Sequence, residues 1–453
     1  MKKILFLIIV ACVSFFRGSC LLADDTNQLM NLPSSTENRF DISDRVWPTK
    51  YGEADVCLWE DDKMIAVSHG IDDNVGPEHE WWIEMGDKYG FSFTWFVIVY
   101  PYMYDYDGSD GTNQSFFGNL EDFQILADAG HDIQVHGTCD INDLPDEDYE
   151  SDAVFAKETL EKIENNRVLT YAYPCGDASG NHKTIIAEHF NAARGVVGGA
   201  NKANNIDYLN TRKGVISAET IDAMIDRSDY KYYRGWLIAL SHYMGIEDKR
   251  AVVEEDLIYV HSRIDDIWMG KFKDISRYGQ ERDSHTLLVN SVVAGEIRLS
   301  LTDTMSDVYF DYPLTVKVRV GDDWKNLYAT QGAETIAAKM IRHEGVNYAL
   351  LKVVPDEGEV VLSASQDVET EEPSVINFST LDINHDKTVG VADAKLIFKK
   401  ILGLEVSNWS SDVNTGDANC DEQVNIFDSI LTFKKALGMN MRGTSGCREE
   451  YYF

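Results

Sequence analysis

From about Val56 to Arg282 the sequence alternates short apolar runs with amphipathic stretches, and this alternation leaves few folds open. Met64–Ser68, Phe91–Tyr100, Asp132–His136, Val168–Tyr173 and Trp236–Ser241 have strand length and strand composition. Between them, Glu78–Tyr89, Leu120–Ala129, Asp152–Glu164, Asn181–Ala193 and Ala218–Arg227 carry helical spacing. Strands that are apolar on both faces and separated by helices predict a parallel sheet wrapped by helices. In such α/β folds functional side chains gather at the carboxyl ends of the strands.

The chemistry-bearing residues fall at those ends. Ser68-His69-Gly70-Ile71-Asp72-Asp73 places two adjacent carboxylates just past the first run. Neighbours along a strand point in different directions, so one can hold a metal while the other faces a substrate. Gly130-His131-Asp132-Ile133-Gln134-Val135-His136 ends another strand, with Asp140 four residues on; that spacing suits a divalent metal. Two more strands end in Tyr171-Ala172-Tyr173-Pro174-Cys175-Gly176 and in Trp236-Leu237-Ile238-Ala239-Leu240-Ser241-His242. Alone, paired aspartates are usually a solvated turn and a strand-end histidine is usually structural. Four such features in a fixed order point to a catalytic centre. A glycosidase pair of Asp72 and Asp132 is the competing hydrolase reading, and it leaves His136, Asp140 and His242 unused.

This order resembles the NodB-type polysaccharide deacetylases, carbohydrate esterase family 4, over about Lys63 to Arg282. Ile71-Asp72-Asp73-Asn74 is similar to the family's Thr-Phe-Asp-Asp-Gly motif, and His136-Gly137-Thr138-Cys139-Asp140 to its His-Ser/Thr-x-x-His motif. Ala172-Tyr173-Pro174-Cys175 stands for Arg-x-Pro-Tyr, Leu240-Ser241-His242 for Leu-x-His, and Phe93-Thr94-Trp95-Phe96 resembles the second strand. The resemblance implies a distorted (β/α) barrel in which Asp73, His136 and Asp140 bind one divalent metal. Zn²⁺ is the expected ion, with Co²⁺ or Mn²⁺ as alternatives. It further implies Asp72 as general base, the Cys175 backbone N–H in the oxyanion hole and His242 as general acid. Departures are specific. Asn74 replaces a glycine and tolerates left-handed backbone better than most residues. Asp140 replaces a histidine, which lowers the site's net charge and favours a harder metal. The family arginine is lost at Ala172, so Arg194 or Arg234 is the candidate to orient the base. A decayed, carbohydrate-binding barrel is the non-enzymatic alternative.

Further hints concern substrate and layout. Tyr100, Tyr102, Tyr104 and Tyr106 form a loop after a strand end, and Tyr102, Tyr104 and Trp236 are candidate sugar-stacking residues. After Asp283, alternating segments such as Thr286–Ser300, Leu314–Val320 and Tyr348–Val353 predict a small antiparallel β-sandwich, expected to brace the barrel rather than bind glycan. The expected organisation is multidomain: 1–23 signal peptide, 24–283 catalytic domain, 284–365 β-sandwich, 366–379 acidic linker, 380–440 a small all-α calcium module and 441–453 tail.

The calcium module is read from a duplication. Asp382, Asn384, Asp386 and Asp393 recur 35 residues later as Asp417, Asn419, Asp421 and Asp428, and Phe398-Lys399-Lys400 as Phe433-Lys434-Lys435. Positions 1, 3, 5 and 12 of such loops place oxygen ligands around Ca²⁺, with Thr388 and Gln423 at position 7. Each loop opens an amphipathic segment, Ala394–Leu402 and Ser429–Leu437. The pattern resembles a dockerin, which implies two Ca²⁺ and a cohesin partner on a cellulosome-like scaffold. Lys387 and Glu422 stand at position 6, where the family has glycine, so reduced calcium affinity is expected.

Lys2-Lys3 and the apolar run Ile4–Val13 read as an export signal too short to span a bilayer, with Cys20 a weak lipoprotein candidate. A net charge of −35 repels nucleic acid and anionic membranes. Of seven cysteines, Cys12 and Cys20 lie in or beside the signal. The remaining odd number argues against a disulfide framework, with Cys420 and Cys447 as one candidate pair. Taken together, the expectation is a secreted deacetylase acting on O-acetyl groups of plant-wall xylan, with N-acetyl groups of chitin-like glycans as the alternative.

Overall fold

The computed structural model describes residues 30–99, 117–245, 247–364, 383–384, 389–406, 409, 416, 424–425, 428–430 and 432. Two compact units divide at Ala364/Ser365.

In the first unit, Ala54–Val56 (β1) precedes Ile65–Asp72 (β2), His79–Tyr89 (α1), Thr94–Ile98 (β3), Leu120–Asp128 (α2), Asp132–His136 (β4) and Asp146–Leu160 (α3). Thr170–Ala172 (β5), His182–His189 (α4), Ala192–Gly198 (β6), Thr211–Lys213 (β7), Ala218–Asp226 (α5), Trp236–Ser241 (β8), Glu247–Ser262 (α6), Ile267–Met269 (β9) and Phe272–Ser284 (α7) follow. The strands form a parallel path β7-β6-β5-β4-β3-β2-β8, and β9 pairs with the start of β2. The path bends nearly shut. Gly214, just past β7, donates its N–H to Ile238 O of β8 at 2.8 Å, and Asn201 exchanges backbone bonds with Trp236. The barrel is therefore filled, and β2 to β5 are buried along their whole length.

The expected strands are present, with shifted ends. Asn119 explains where α2 starts: its side chain accepts the N–H of Glu121 and Asp122, and Asp122 returns the bond, a capping box. α3 begins at Asp146, six residues earlier than its apolar spacing suggests, because Pro145 and three acidic residues favour a helix start there.

Thr286–Val293 (β10), Glu296–Thr302 (β11), Leu314–Arg319 (β12), Leu327–Gln331 (β13), Glu334–Thr335 (β14), Ala338–His343 (β15), Val346–Val353 (β16) and Val360–Ala364 (β17) make two antiparallel sheets, ordered β1-β12-β16-β15 and β10-β11-β17-β13-β14. The sandwich is as expected, but it recruits β1 from before the barrel through the register Ala54↔Val318. Its core is continuous with the barrel's outer side: Trp59, Phe96, Phe272 and Tyr278 cluster with Ile297, Leu299, Leu314 and Val316. α7 is wedged in this seam. Every residue from Phe272 to Arg282 except Asp274 is buried although the sequence is mostly polar, so its charges are paired inside the protein: Lys273 with Asp132 at 2.6 Å and Arg282 with Asp283 at 2.6 Å. Bracing of the barrel by the sandwich follows directly from this shared core.

In the second unit Val391–Ile401 (α8) starts after Gly390. Asp393 is fully buried; it accepts the N–H of Gly390 at 2.9 Å and of Asn384 at 3.0 Å. The same cap recurs 35 residues on, where the Asp428 carboxylate accepts the N–H of Asn425 at 2.7 Å. Ser429 Oγ donates to Ala394 O at 2.9 Å, joining the corresponding positions of the two repeats. Asp382, Asp386, Thr388, Asp417, Asn419, Asp421, Gln423, Cys420 and Cys447 lie outside the described residues, as do residues 1–29 and the linker 366–379. Among the described residues no helix is long and apolar enough to cross a membrane.

Candidate active site

Parallel strands bring their carboxyl ends to one rim, and the register shows which residues meet there. His136, last in β4, pairs with Ala172, last in β5, and Ala172 pairs with Arg194 of β6. Asp72 ends β2, and Ser241 ends β8 just before His242.

Asp72 is the hub. It is 3% exposed, and its Oδ2 lies 2.5 Å from Arg194 Nη2, 3.8 Å from His136 Nε2 and 3.7 Å from His242 Nε2. Arg194 is 1% exposed and lies with its guanidinium 5.2 Å from the Phe96 ring centre. Of the two arginines considered from sequence, Arg194 is the partner. Arg234 stands just before β8, at its other end, with its guanidinium on Ser43 O at 2.9 Å. The position of Arg194 has a simple logic. It is the register partner of Ala172, so the guanidinium is supplied from the neighbouring strand. Asp72 Oδ1 is buried and has no hydrogen-bond partner among the described residues.

His136 Nδ1 lies 2.8 Å from Ala172 O, so the proton must be on Nδ1, and the Nε2 lone pair faces Asp72. Burial pushes the His136 pKa down, with Asp72 opposing and Arg194 reinforcing that shift. That shift favours the neutral imidazole, the form that ligates metals. Asp73 is half-buried; desolvation raises its pKa, His136 lowers it and the Asp72 charge raises it again. Asp73 is itself the left-handed residue of this turn, with φ 66°, and not Asn74. The buried Asn74 instead donates its side-chain amide to Ile98 O at 2.9 Å, tying the turn to the end of β3. His242 is 60% exposed in its side chain. Its loop is fixed by the buried Glu78, which accepts the Met244 N–H, and by His69 Nε2, 2.8 Å from Ser241 Oγ.

Cys175 follows Pro174 at φ 51°, while Gly176 and Asp177 donate their N–H back to Tyr173 O and Pro174 O. A disulfide joins it to Cys139, contrary to the expectation drawn from the odd cysteine count. Cys57 is the free cysteine among the described residues. Asp140 lies exposed in the turn Cys139–Asp143.

Asp73, His136 and Asp140 share the rim, but their donor atoms do not all lie within 4.8 Å of one another. Among the described residues the set that does is Glu150, Glu188 and His189 on the outer helices α3 and α4, where His189 Nε2 lies 2.7 Å from Glu150 Oε1. The rim nevertheless offers groups whose chemistry suits a cation: the His136 Nε2 lone pair, the orphaned Asp72 Oδ1 and, next in the chain, the Asp73 carboxylate.

Two other expectations are corrected. Trp236 is fully buried at the opposite end of β8, its Nε1 donating to Ser68 Oγ at 3.1 Å and its ring 5.0 Å from Phe272, so it is a core residue and cannot stack on a sugar. Asp132 opens β4 and is paired with Lys273, so it is not an acid/base partner for Asp72. Tyr102 and Tyr104 lie outside the described residues.

No family model matches the chain. It is 36% identical over 375 residues to a gellan lyase of a Bacillus species, covering 74% of this chain but only 14% of that protein's length. Among solved structures it is similar to a Streptomyces lividans family 4 carbohydrate esterase in complex with acetate (10% identity, 46% of this chain and 93% of that one, TM-score 0.31). It is also similar to the Xyl-CE4 domain of a multidomain xylanase from the hindgut metagenome of Trinervitermes trinervoides (11%, 46% and 87%, 0.30) and to the Streptococcus pyogenes deacetylase PplD (19%, 34% and 66%, 0.28). At these TM-scores overall likeness carries no function across.

Proposed function

We propose that the chain is a metal-dependent polysaccharide deacetylase. The observation that carries the reading is the buried Asp72 carboxylate, fixed by Arg194 and flanked by His136 and His242 at the barrel rim. Asp73 and His136 would hold the metal, with Asp140, exposed in the neighbouring turn, as the candidate third ligand. A divalent ion there supplies Lewis acidity toward the acetyl carbonyl and lowers the pKa of a water. Asp72 takes the proton from the attacking water; Arg194 holds its carboxylate in place. The Cys175 N–H donates to the oxygen on which negative charge develops. His242, exposed and reached from solvent, delivers a proton to the leaving oxygen or nitrogen.

The substrate we favour is O-acetylated xylan; the support is the duplicated acidic loops, whose dockerin reading would place the chain in a cellulosome-like context. The test compares acetate release from acetylated xylo-oligosaccharides and from chitin oligomers. Faster release from xylan by tenfold or more is expected; equal or faster release from chitin oligomers rejects the substrate assignment.

The C-terminal repeat is proposed to be a dockerin with two Ca²⁺, binding a cohesin, on a chain exported through its N-terminal signal. The recurring Asp393 and Asp428 caps support the duplication. Calorimetric titration of the full chain should show two Ca²⁺ equivalents, one lost in each of Asp382→Ala and Asp417→Ala. Absence of calcium binding by the wild type would reject the module.

A further inference from the structure

We propose that the Cys139–Cys175 disulfide positions the reacting groups of the site, making the chain's activity reversibly sensitive to a dithiol. This rests on the deacetylase reading. The bridge joins the two turns that follow β4 and β5. One carries Asp140 directly after Cys139; the other carries the Cys175 N–H, the oxyanion donor of the proposed reaction. Cys175 holds φ 51°, a left-handed conformation that costs a non-glycine residue about 1–2 kcal/mol and persists only when its surroundings enforce it. Non-covalent ties also join these turns. Asn142 Nδ2 donates to Pro174 O at 3.0 Å, and Gly137 is packed so closely that a Cβ there would lie 2.5 Å from Ile141 Cδ1 and 3.0 Å from Pro174 Cγ. The disulfide is the covalent tie among them, and it acts directly on the Cys175 backbone.

The strand ends have their own tie, His136 Nδ1 to Ala172 O, which does not depend on the bridge. Reduction therefore frees the two turns and leaves Asp72, Arg194 and His136 in place. Cys139 and Cys175 are both exposed, whereas Cys57 is buried, so a small dithiol meets the bridge first. The step is a two-electron exchange. The Sγ–Sγ bond breaks, both cysteines become thiols by taking up two protons, and the dithiol closes to its cyclic disulfide.

The test uses the full chain and the Cys139→Ser/Cys175→Ser variant well below their unfolding temperatures. The expected result is a fall in kcat for acetate release of roughly 10- to 100-fold with KM within about twofold, the scale set by misplacing reacting groups by about an ångström. Dithiol should reproduce that loss in the wild type, reoxidation should restore it, and the variant should not respond to dithiol. Amide exchange should quicken in residues 138–143 and 174–177 and stay unchanged in the barrel strands. If only the unfolding temperature falls, with kcat and exchange in the two turns unchanged, the bridge is a structural staple and the proposal is overturned. If the wild type releases no acetate, the deacetylase reading fails, while the exchange measurement still decides whether the bridge orders the two turns.

Discussion

Replacing Arg194 by Met should cost about 3–5 kcal/mol of stability and lower acetate release at least a hundredfold. The stability figure follows from burial: Asp72 and Arg194 are both almost fully enclosed, and removing one partner leaves the other charge uncompensated in a medium that solvates it poorly. His136 and His242 stand 3.7–3.8 Å from the same oxygen, too far to replace the guanidinium hydrogen bond. The activity loss has a separate origin, the lost orientation of the base. A double variant, Arg194→Met with Asp72→Asn, removes both charges and should regain much of the stability without regaining activity. The register pairing of Ala172 with Arg194 gives a sharper check: Ala172→Arg in an Arg194→Ala background should recover part of the rate. Urea unfolding and acetate assays measure the two effects independently.

His242→Ala should lower the rate on a sugar acetate by roughly 10²–10⁴-fold, the range for loss of a positioned general acid. The loss depends on the leaving group. An aryl acetate whose phenolate departs without a proton should be cleaved by the variant at close to the wild-type rate, because attack by water and stabilisation of the oxyanion are untouched. A large, equal loss on both esters would mean that His242 supports the site structurally instead. Its high exposure makes that outcome hard to reconcile with the structure, since a solvent-facing ring holds little of the fold together.

The parts of this site that were legible in the sequence are those where side-chain chemistry and strand position coincide. Asp72, His136 and His242 each close a buried apolar run, and the structure brings them around one carboxylate oxygen. Arg194 could be narrowed only to one of two arginines, although it carried a further signal: a lone arginine in Ala192-Ala193-Arg194-Gly195-Val196-Val197 must be paired if that run is a buried strand. The same charge and glycines hid β6 as a strand. α7 was missed because Phe272–Ser284 is largely polar and looks solvent-exposed, whereas it is enclosed between barrel and sandwich with its charges paired internally. β1 was illegible for another reason, since three residues pairing with a strand some 260 residues away leave no local pattern. Trp236 misled because an aromatic on the right strand was at the wrong end of it. The Cys139–Cys175 pair could not be read from spacing, as connectivity is not encoded in cysteine counts.

The measurement that bears most directly on the central claim is acetate release from acetylated xylo-oligosaccharides and chitin oligomers by the Zn²⁺-loaded wild type and its Asp72→Asn variant. The account predicts release by the wild type, its loss on chelation and recovery on Zn²⁺ addition, and a rate at least about a thousandfold lower in Asp72→Asn with Zn²⁺ still bound. No acetate from any of these substrates with metal bound, or an unsaturated sugar product in its place, would contradict it.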